Sequence, residues 1–322
     1  MLYCQEKNST KRVFFQYRVL PVLPEHRSYV ILEEQKWSPH SCIARVLTGF
    51  SLALSHMLVK MEAVMKSFKD VSFNFAGKVA VITGSSSGIF QAVAKGYGEA
   101  GAAVAICDVN MAGSEETRAA IEEKGGAANV YRCDVSKVQV IVETVAQIIK
   151  DFGKIDILIN GAGVLFRSKS EEYPEDKWDF VMNIQCKGAF FMCREVGRHM
   201  LERGKGGKII NVSSMLYWSG GVMVPAYSAA KAGITQVTRA LCNEWAPHGI
   251  NVNAVAPGYI LTQITRPIHD DPDRNRTVLD RLPVGRWGVP DDLVGPFLFL
   301  GSEAADYIHG SVLPVDGGWL AR

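Results

Sequence analysis

The chain is 322 residues long, 48% hydrophobic, with a formal net charge of +2 at pH 7. That length fits one large α/β domain or two small ones, and the composition supplies a sizeable core. The near balance of charge gives no electrostatic reason to expect a nucleic-acid or anionic-membrane partner.

Seven cysteines (Cys4, Cys42, Cys107, Cys133, Cys186, Cys193 and Cys242) show neither C-x-x-C spacing nor histidine pairing. Reduced, packed thiols in a cytoplasmic protein are therefore expected, with no metal site. The first twenty residues are charged and lack the continuous apolar segment of a secretory signal. The best membrane candidate, residues 42–59, contains Arg45 and His56. It falls short of the roughly 20 predominantly apolar residues that a span needs. Residues 1–70 mix charges, prolines and aromatics without a sustained period, and read as an irregular or partly helical N-terminal extension. Met57, Met61 and Met65 precede the globular pattern, so the compact domain is expected to cover 71–322.

From Gly77 onward, short apolar runs alternate with helical patterns. The first run is 78–83, followed by a turn at 84–88 and a helix over 89–100. A strand at 103–107 and a helix at 112–124 come next, then a strand at 129–133 and a helix at 137–152. A strand at 155–160 precedes one long helix over 175–203. A strand ending at Val212, a helix over 226–246 and a strand at 251–256 complete the pattern. Strands and helices in alternation predict a single doubly wound, Rossmann-type parallel sheet with helices on both faces. Ligands of such sheets bind at the carboxyl ends of the strands.

Three features carry chemistry. Gly84-x-x-x-Gly88 lies between a strand and a helix, where glycines admit a pyrophosphate and the helix start offers free N–H groups. Asp108, about twenty residues on at the next strand end, would bind a ribose 2′-hydroxyl and repel a 2′-phosphate, which favours NAD over NADP. The turn's own serines, Ser85 to Ser87, offer no cation for that phosphate. Tyr227 and Lys231 lie one turn apart on one helix face. A lysine ammonium there would lower the tyrosine pKa from about 10, making a proton donor and acceptor for a carbonyl or an alcohol. Ser214, at a strand end, could hydrogen-bond the same oxygen. A Tyr-x-x-x-Lys pair alone also fits an ordinary surface pair, so the upstream turn is what gives it weight.

Together these pieces resemble the short-chain dehydrogenase/reductase family. Its T-G-x-x-x-G-I-G appears as Thr83–Phe90, its N-N-A-G as Asn160–Gly163, its Y-x-x-x-K as Tyr227 and Lys231, and its P-G as Pro257-Gly258. The resemblance covers residues 75–322 and implies a role for each matched position. Tyr227 would be the general acid/base, and Lys231 would bind the nicotinamide ribose. Ser214, thirteen residues before the tyrosine, would hold the substrate oxygen, and Asn183 would hold a relay water. Gly84, Ser86, Ser87, Gly88 and Ile89 would cradle the pyrophosphate. Asp134 and Val135 would contact the adenine, and Asn160 and Ala162 the adenosine ribose side. Pro257, Gly258, Ile260 and Thr262 would lie over the nicotinamide and phosphates.

Motifs of the second half, including Ser214-Met215-Leu216, Gly285-Arg286-Trp287-Gly288 and the terminal 315–322, are similar to a branch that oxidises deoxy sugar acids. 2-Dehydro-3-deoxy-D-gluconate and 2-deoxy-D-gluconate are the implied substrates, with Arg167, Arg281 and Arg286 as candidate carboxylate ligands. The resemblance also implies a homotetramer and a polar, closing substrate lid over 262–282. Two departures stand out. Phe90 replaces the third glycine, so its ring must push the helix away or turn outward, and Gly161 replaces an asparagine that would brace the sheet centre. Another polyol or carbonyl substrate fits the same catalytic groups, particularly if Met215, Leu216, Tyr217, Trp218 and Met223 line the pocket. A non-catalytic dinucleotide-binding scaffold is the reading of a different class.

Overall fold

The structure is a computed structural model that describes residues 73–322. The expected N-terminal extension, the apolar stretch at 42–59 and the methionines at 57, 61 and 65 lie outside the described residues. Seven strands form one sheet in the order β3-β2-β1-β4-β5-β6-β7. They are β1 (Val79–Thr83), β2 (Ala103–Asp108), β3 (Ala127–Arg132), β4 (Ile157–Asn160), β5 (Gly207–Val212), β6 (Ile250–Pro257) and β7 (Val312–Val315). Every neighbouring pair is parallel. The central strands are apolar without alternation because both faces are covered. Ala80 and Ile82 of β1 pack on one side and Val81 on the other.

Helices α1 (Gly88–Glu99) and α2 (Met111–Glu123) cover one face. On the other lie α3 (Val138–Phe152), α5 (Ala189–Arg203) and α7 (Pro225–Trp245). The expected long helix over 175–203 is interrupted: α4 (Glu175–Met182) passes through a π-helical turn, Asn183–Gly188, before α5. Gly188 lies so close to the chain after β3 that a Cβ on it would sit 2.5 Å from the Val135 carbonyl oxygen. Short π segments of this kind recur at functional sites.

Other elements carry no clear period in the sequence. A short α6 (Leu216–Ser219) lies in the loop after β5, and α8 (Arg266–His269), α9 (Pro272–Arg281), α10 (Asp291–Gly301) and β7 complete the chain. Helix α10 joins α1 and α2 on their face, with Leu293, Phe297 and Leu300 in the core. The order reverses between β1 and β4, and their ends align with Thr83 opposite Asn160. A ligand crevice therefore opens beyond these two residues.

Candidate active site

The turn after β1 is built from hydrogen bonds that no motif displays. Ser85 Oγ donates to the Ile82 carbonyl at 2.8 Å, and Thr117 Oγ1 donates to the Ser85 carbonyl at 3.0 Å. Gln91 Nε2 donates to the Ser86 carbonyl at 3.1 Å. With the turn's carbonyls engaged, the start of α1 is held open: Ser87 at its N-cap makes no side-chain cap. The first-turn N–H groups stay available to a phosphate. Gly84 and Gly88 have φ of +73° and +62°. A Cβ on Gly84 would also sit 2.8 Å from the Ala162 backbone. Asp108 ends β2 with one oxygen accepting from Ser86 N at 3.0 Å and the other from Asn110 N at 2.9 Å. The carboxylate is thereby fixed beside the turn, where the sequence placed it.

The turn after β4 is stapled to this one. Thr83 Oγ1 accepts from Gly161 N and Ala162 N at 3.0 and 3.1 Å. Asn160 Nδ2 donates to Asn211 Oδ1 at 2.9 Å, and Asn211 Nδ2 to Thr238 Oγ1 at 2.9 Å, a buried polar chain from β4 through β5 to α7. The two departures from the fingerprint prove to be one feature. Phe90 neither pushes α1 away nor turns outward: it is buried, edge-on to Phe297 with centroids 5.6 Å apart. Its ring occupies the space beside Gly161, where a Cβ would come 2.3 Å from Phe90 Cγ. The side chain missing at 161 is what makes room for the ring.

Beyond β5, Ser213 and Ser214 diverge. Ser213 Oγ is 2.6 Å from Thr235 Oγ1 on α7. Ser214 Oγ instead accepts from Leu216 N at 3.2 Å and acts on the Tyr227 phenol, favouring its ionised form. Tyr227, like Phe166, Tyr173 and Met182, packs against a small buried cluster of Val181, Ala226 and Ala230. Lys231, one turn on, is buried and donates from Nζ to the Val212 carbonyl at 2.8 Å. Asn183 begins the π turn that packs on α7, where a Cβ on Gly233 would come 2.9 Å from Cys186 Sγ.

The expectation that Lys231 lowers the Tyr227 pKa is overturned. Burial raises the phenol's pKa, with the Ser214 hydroxyl and the Arg167 charge working the other way. Lys231 Nζ lies over the Tyr227 ring, 5.5 Å from its centroid, while donating to the Val212 carbonyl. Burial pushes the lysine itself down to about 7, against the opposing effect of Cys186. A folded-state pKa below the unfolded one means that the unfolded chain binds the extra proton between about 7 and 10.5. Stability should therefore rise with pH across that window. Denaturant unfolding of the native protein and a Lys231→Met variant should diverge there by on the order of 5 kcal/mol. Parallel pH profiles for the two proteins would refute this.

The P-G motif closes the crevice. Gly258 N donates to the Val315 carbonyl at 3.0 Å, and a Cβ on Gly258 would sit 2.6 Å from Asp316 Cα. Ile260 is buried, and its carbonyl accepts from Thr265 Oγ1 at 2.6 Å. Thr262 comes opposite the phosphate turn, its Cγ2 3.6 Å from where a Gly88 Cβ would stand. Asp134 is held by its own turn, Oδ1 accepting from Ser136 Oγ at 2.6 Å, with Val135 buried beside it. Arg286, a candidate carboxylate ligand, is engaged elsewhere: both its terminal nitrogens pair with Asp292, at 2.7 and 2.9 Å. Among the described residues no cluster of three His, Cys, Asp or Glu could hold a metal, and no helix is long and apolar enough to cross a membrane.

The glycine turn, the uncapped start of α1 and the fixed Asp108 fit an adenine dinucleotide. With the Ser214–Tyr227–Lys231 cluster they define a dinucleotide-dependent oxidoreductase. A family profile described as enoyl-(acyl carrier protein) reductase matches residues 84–320. The 2-dehydro-3-deoxy-D-gluconate 5-dehydrogenase of Dickeya dadantii is 46% identical over 251 residues, 78% of this chain and 98% of its own. A gluconate 5-dehydrogenase from Burkholderia cenocepacia, solved with NADP and tartrate, has a TM-score of 0.75 at 35% identity, covering 78% of this chain and 98% of that one. A candidate 2-deoxy-D-gluconate 3-dehydrogenase from Agrobacterium tumefaciens, solved with NADP, has a TM-score of 0.73 at 40% identity, covering 79% of this chain and 100% of that one. The chain belongs to the short-chain dehydrogenase/reductase family, whose named members here act on alcohols and ketones of sugar acids.

Proposed function

We propose that the protein interconverts a secondary alcohol and a ketone on a deoxy sugar acid, 2-dehydro-3-deoxy-D-gluconate or 2-deoxy-D-gluconate, with NAD. The observation that carries this reading is the placing of the Ser214 hydroxyl and the half-buried Arg167 where both act on the Tyr227 phenol and favour its ionised form, with Lys231 one turn on along the same helix. Ser214 Oγ and Tyr227 Oη hold the substrate oxygen between them. Tyr227 Oη gives its proton to the ketone oxygen in reduction and takes it from the alcohol in oxidation. The proton is replaced through Lys231 and a water at Asn183. The nicotinamide, when bound, donates or accepts the hydride. Gly84, Ser86, Ser87, Gly88 and Ile89 would hold its pyrophosphate, Asp134 and Val135 the adenine, and Asn160 and Ala162 the adenosine ribose side. Lys231 and Tyr227 would hold the nicotinamide ribose, with Pro257, Gly258, Ile260 and Thr262 above it. Arg167 would pair with the carboxylate.

Asp108 supports NAD, because its fixed negative charge beside the adenosine ribose opposes a 2′-phosphate. The Burkholderia and Agrobacterium relatives were solved with NADP, which makes a parallel test necessary. Fluorescence titration should show NADH binding at least about tenfold tighter than NADPH, the scale of one charged hydrogen bond. Asp108→Ala should erase that margin, and an unmodified protein that prefers NADPH would overturn the assignment. For the substrate, a panel of alcohols followed by NADH formation from NAD should give the highest kcat/KM on the deoxy sugar acid. Higher activity on a neutral alcohol would refute it. An apolar-substrate reading gains no support, since Met215 is buried in the lid core and Trp218 is 76% exposed.

A further inference from the structure

Of the arginines that the sequence offers as carboxylate ligands, Arg281 lies over the Trp319 ring, 4.2 Å from its centroid, and Arg286 is spent on Asp292. The Arg286–Asp292 pair is at the surface, its side chains 56% and 33% exposed. An ion pair so exposed adds little to global stability. Its geometry is nevertheless exacting. Both guanidinium nitrogens meet the two carboxylate oxygens, a paired contact that fixes direction as well as distance. Asp292 Oδ2 also accepts from Val289 N at 2.8 Å, and Arg286 Nη1 also donates to the Trp287 carbonyl at 3.0 Å. The pair is a clamp on the backbone of residues 286–289.

What that short segment touches gives the clamp its purpose. Gly288 forms a parallel bridge with Ile260. Its N–H donates to the Tyr259 carbonyl at 3.0 Å, and its carbonyl accepts from Leu261 N at 2.8 Å. The Ile260 carbonyl is held from elsewhere, by Thr265 Oγ1 at 2.6 Å. These bonds leave the Ile260 N–H without a hydrogen-bond partner among the described residues. A fixed and unpaired amide donor suits the carboxamide oxygen of a nicotinamide. Gly288 and Ile260 are also in steric contact, since a Cβ on Gly288 would meet Ile260 Cδ1.

Close packing does not secure this segment from every side. A cavity of about 230 Å³ is lined by Tyr259, Ile260, Arg286, Gly288 and Asp292 among other residues. Backbone bordering open space lacks the interlocking contacts that fix a core, so its polar frame must hold it. Trp287 ties the same segment to the lid: it is buried, and its Nε1 donates to Asn275 Oδ1 of α9 at 2.8 Å.

We infer that Arg286 and Asp292 are positioning residues for the nicotinamide end of the dinucleotide. Their clamp on 286–289 sets, through the Gly288–Ile260 bridge, where the Ile260 amide stands. Neither side chain need touch the cofactor or the substrate. The inference rests on the nicotinamide-dinucleotide reading and deepens it, and it is independent of the choice of NAD over NADP and of the sugar acid.

The test is calorimetric titration of the full chain with two ligands. One is the reduced dinucleotide, NADH or NADPH, that the unmodified protein binds more tightly. The other is ADP-ribose, which lacks only the nicotinamide. Arg286→Met and Asp292→Asn should each weaken the dinucleotide about tenfold, the scale of one hydrogen bond lost or misplaced. ADP-ribose affinity should hold within about twofold. Arg286→Lys keeps the charge without the planar fork, so it should resemble Arg286→Met rather than the unmodified protein. The double variant should lose no more than the worse single, because the two residues act as one unit. Melting temperatures should stay within about 4 °C, as for any exposed pair. Equal weakening of both ligands would mean a merely structural role and overturn the inference. Unchanged dinucleotide binding in Arg286→Met would overturn it as well. Should Arg286→Met fail to fold, Arg286→Lys and Asp292→Asn still decide the matter. An unmodified protein that binds neither dinucleotide nor ADP-ribose refutes the dinucleotide reading and the clamp's role with it.

Discussion

Tyr227→Phe should lower kcat by about 10²- to 10⁴-fold in both directions, the range that a positioned proton donor and acceptor contributes. The ring of phenylalanine can still pack on the cluster of Val181, Ala226 and Ala230, so the fold should survive. What disappears is the phenol oxygen on which Ser214 and Arg167 act. Stopped-flow NADH oxidation with saturating ketone measures the loss directly. An activity within about tenfold of the unmodified protein would place the proton chemistry elsewhere. The same tyrosine sets the sign of the pH dependence. Its pKa is raised by burial, so the phenol stays protonated at neutral pH and is ready to donate in reduction. Oxidation needs the phenolate, so its kcat/KM should climb with pH through the alkaline range while reduction holds or falls. A reductive rate that rises with pH would contradict the assignment.

How much of this was readable from the residues alone depended on range along the chain. The six strands read from apolar runs are all present, because parallel strands buried on both faces announce themselves locally. Tyr227 and Lys231 share a helix face for an equally local reason. Ser214 needed the resemblance to be chosen over Ser213, and the structure supplies the physical ground: Ser213 is spent on Thr235. Thr83 was visible only as a motif letter, although its hydroxyl ties the β4 turn to β1. The direction of Lys231 was not legible, since its partner is a carbonyl nineteen residues earlier. The π turn at Asn183–Gly188 was equally hidden, because the close approach to Val135 that accompanies it joins distant segments.

Phe90 shows the limit most sharply, because the sequence displayed both halves of the answer without their connection. A phenylalanine in place of the third glycine and a glycine in place of an asparagine look like two defects. In space they compensate, and that yields a quantitative expectation. Gly161 does not have positive φ, so its backbone admits any residue and only space forbids one. Gly161→Asn should force the Phe90 ring aside and, through Ala162, disturb the Gly84 turn, where the two backbones are already in close contact. Overpacking of this kind costs about 1–3 kcal/mol. The melting temperature should fall by about 2–4 °C for each kcal/mol, and NADH affinity should fall with it. Phe90→Gly alone should be costly too, since it removes a buried ring packed on Phe297 and leaves a cavity worth about 3–5 kcal/mol. The double variant is the decisive one. With the ring gone, the asparagine has room, and the combined loss should undershoot the sum of the singles by about 0.5–3 kcal/mol. NADH titration of the double variant should recover part of the affinity lost in Gly161→Asn. Strict additivity would mean that the ring and the missing side chain do not compete for one space. The two departures would then be independent after all, and Phe90 on its own would again be the residue to blame for any weakness in dinucleotide binding.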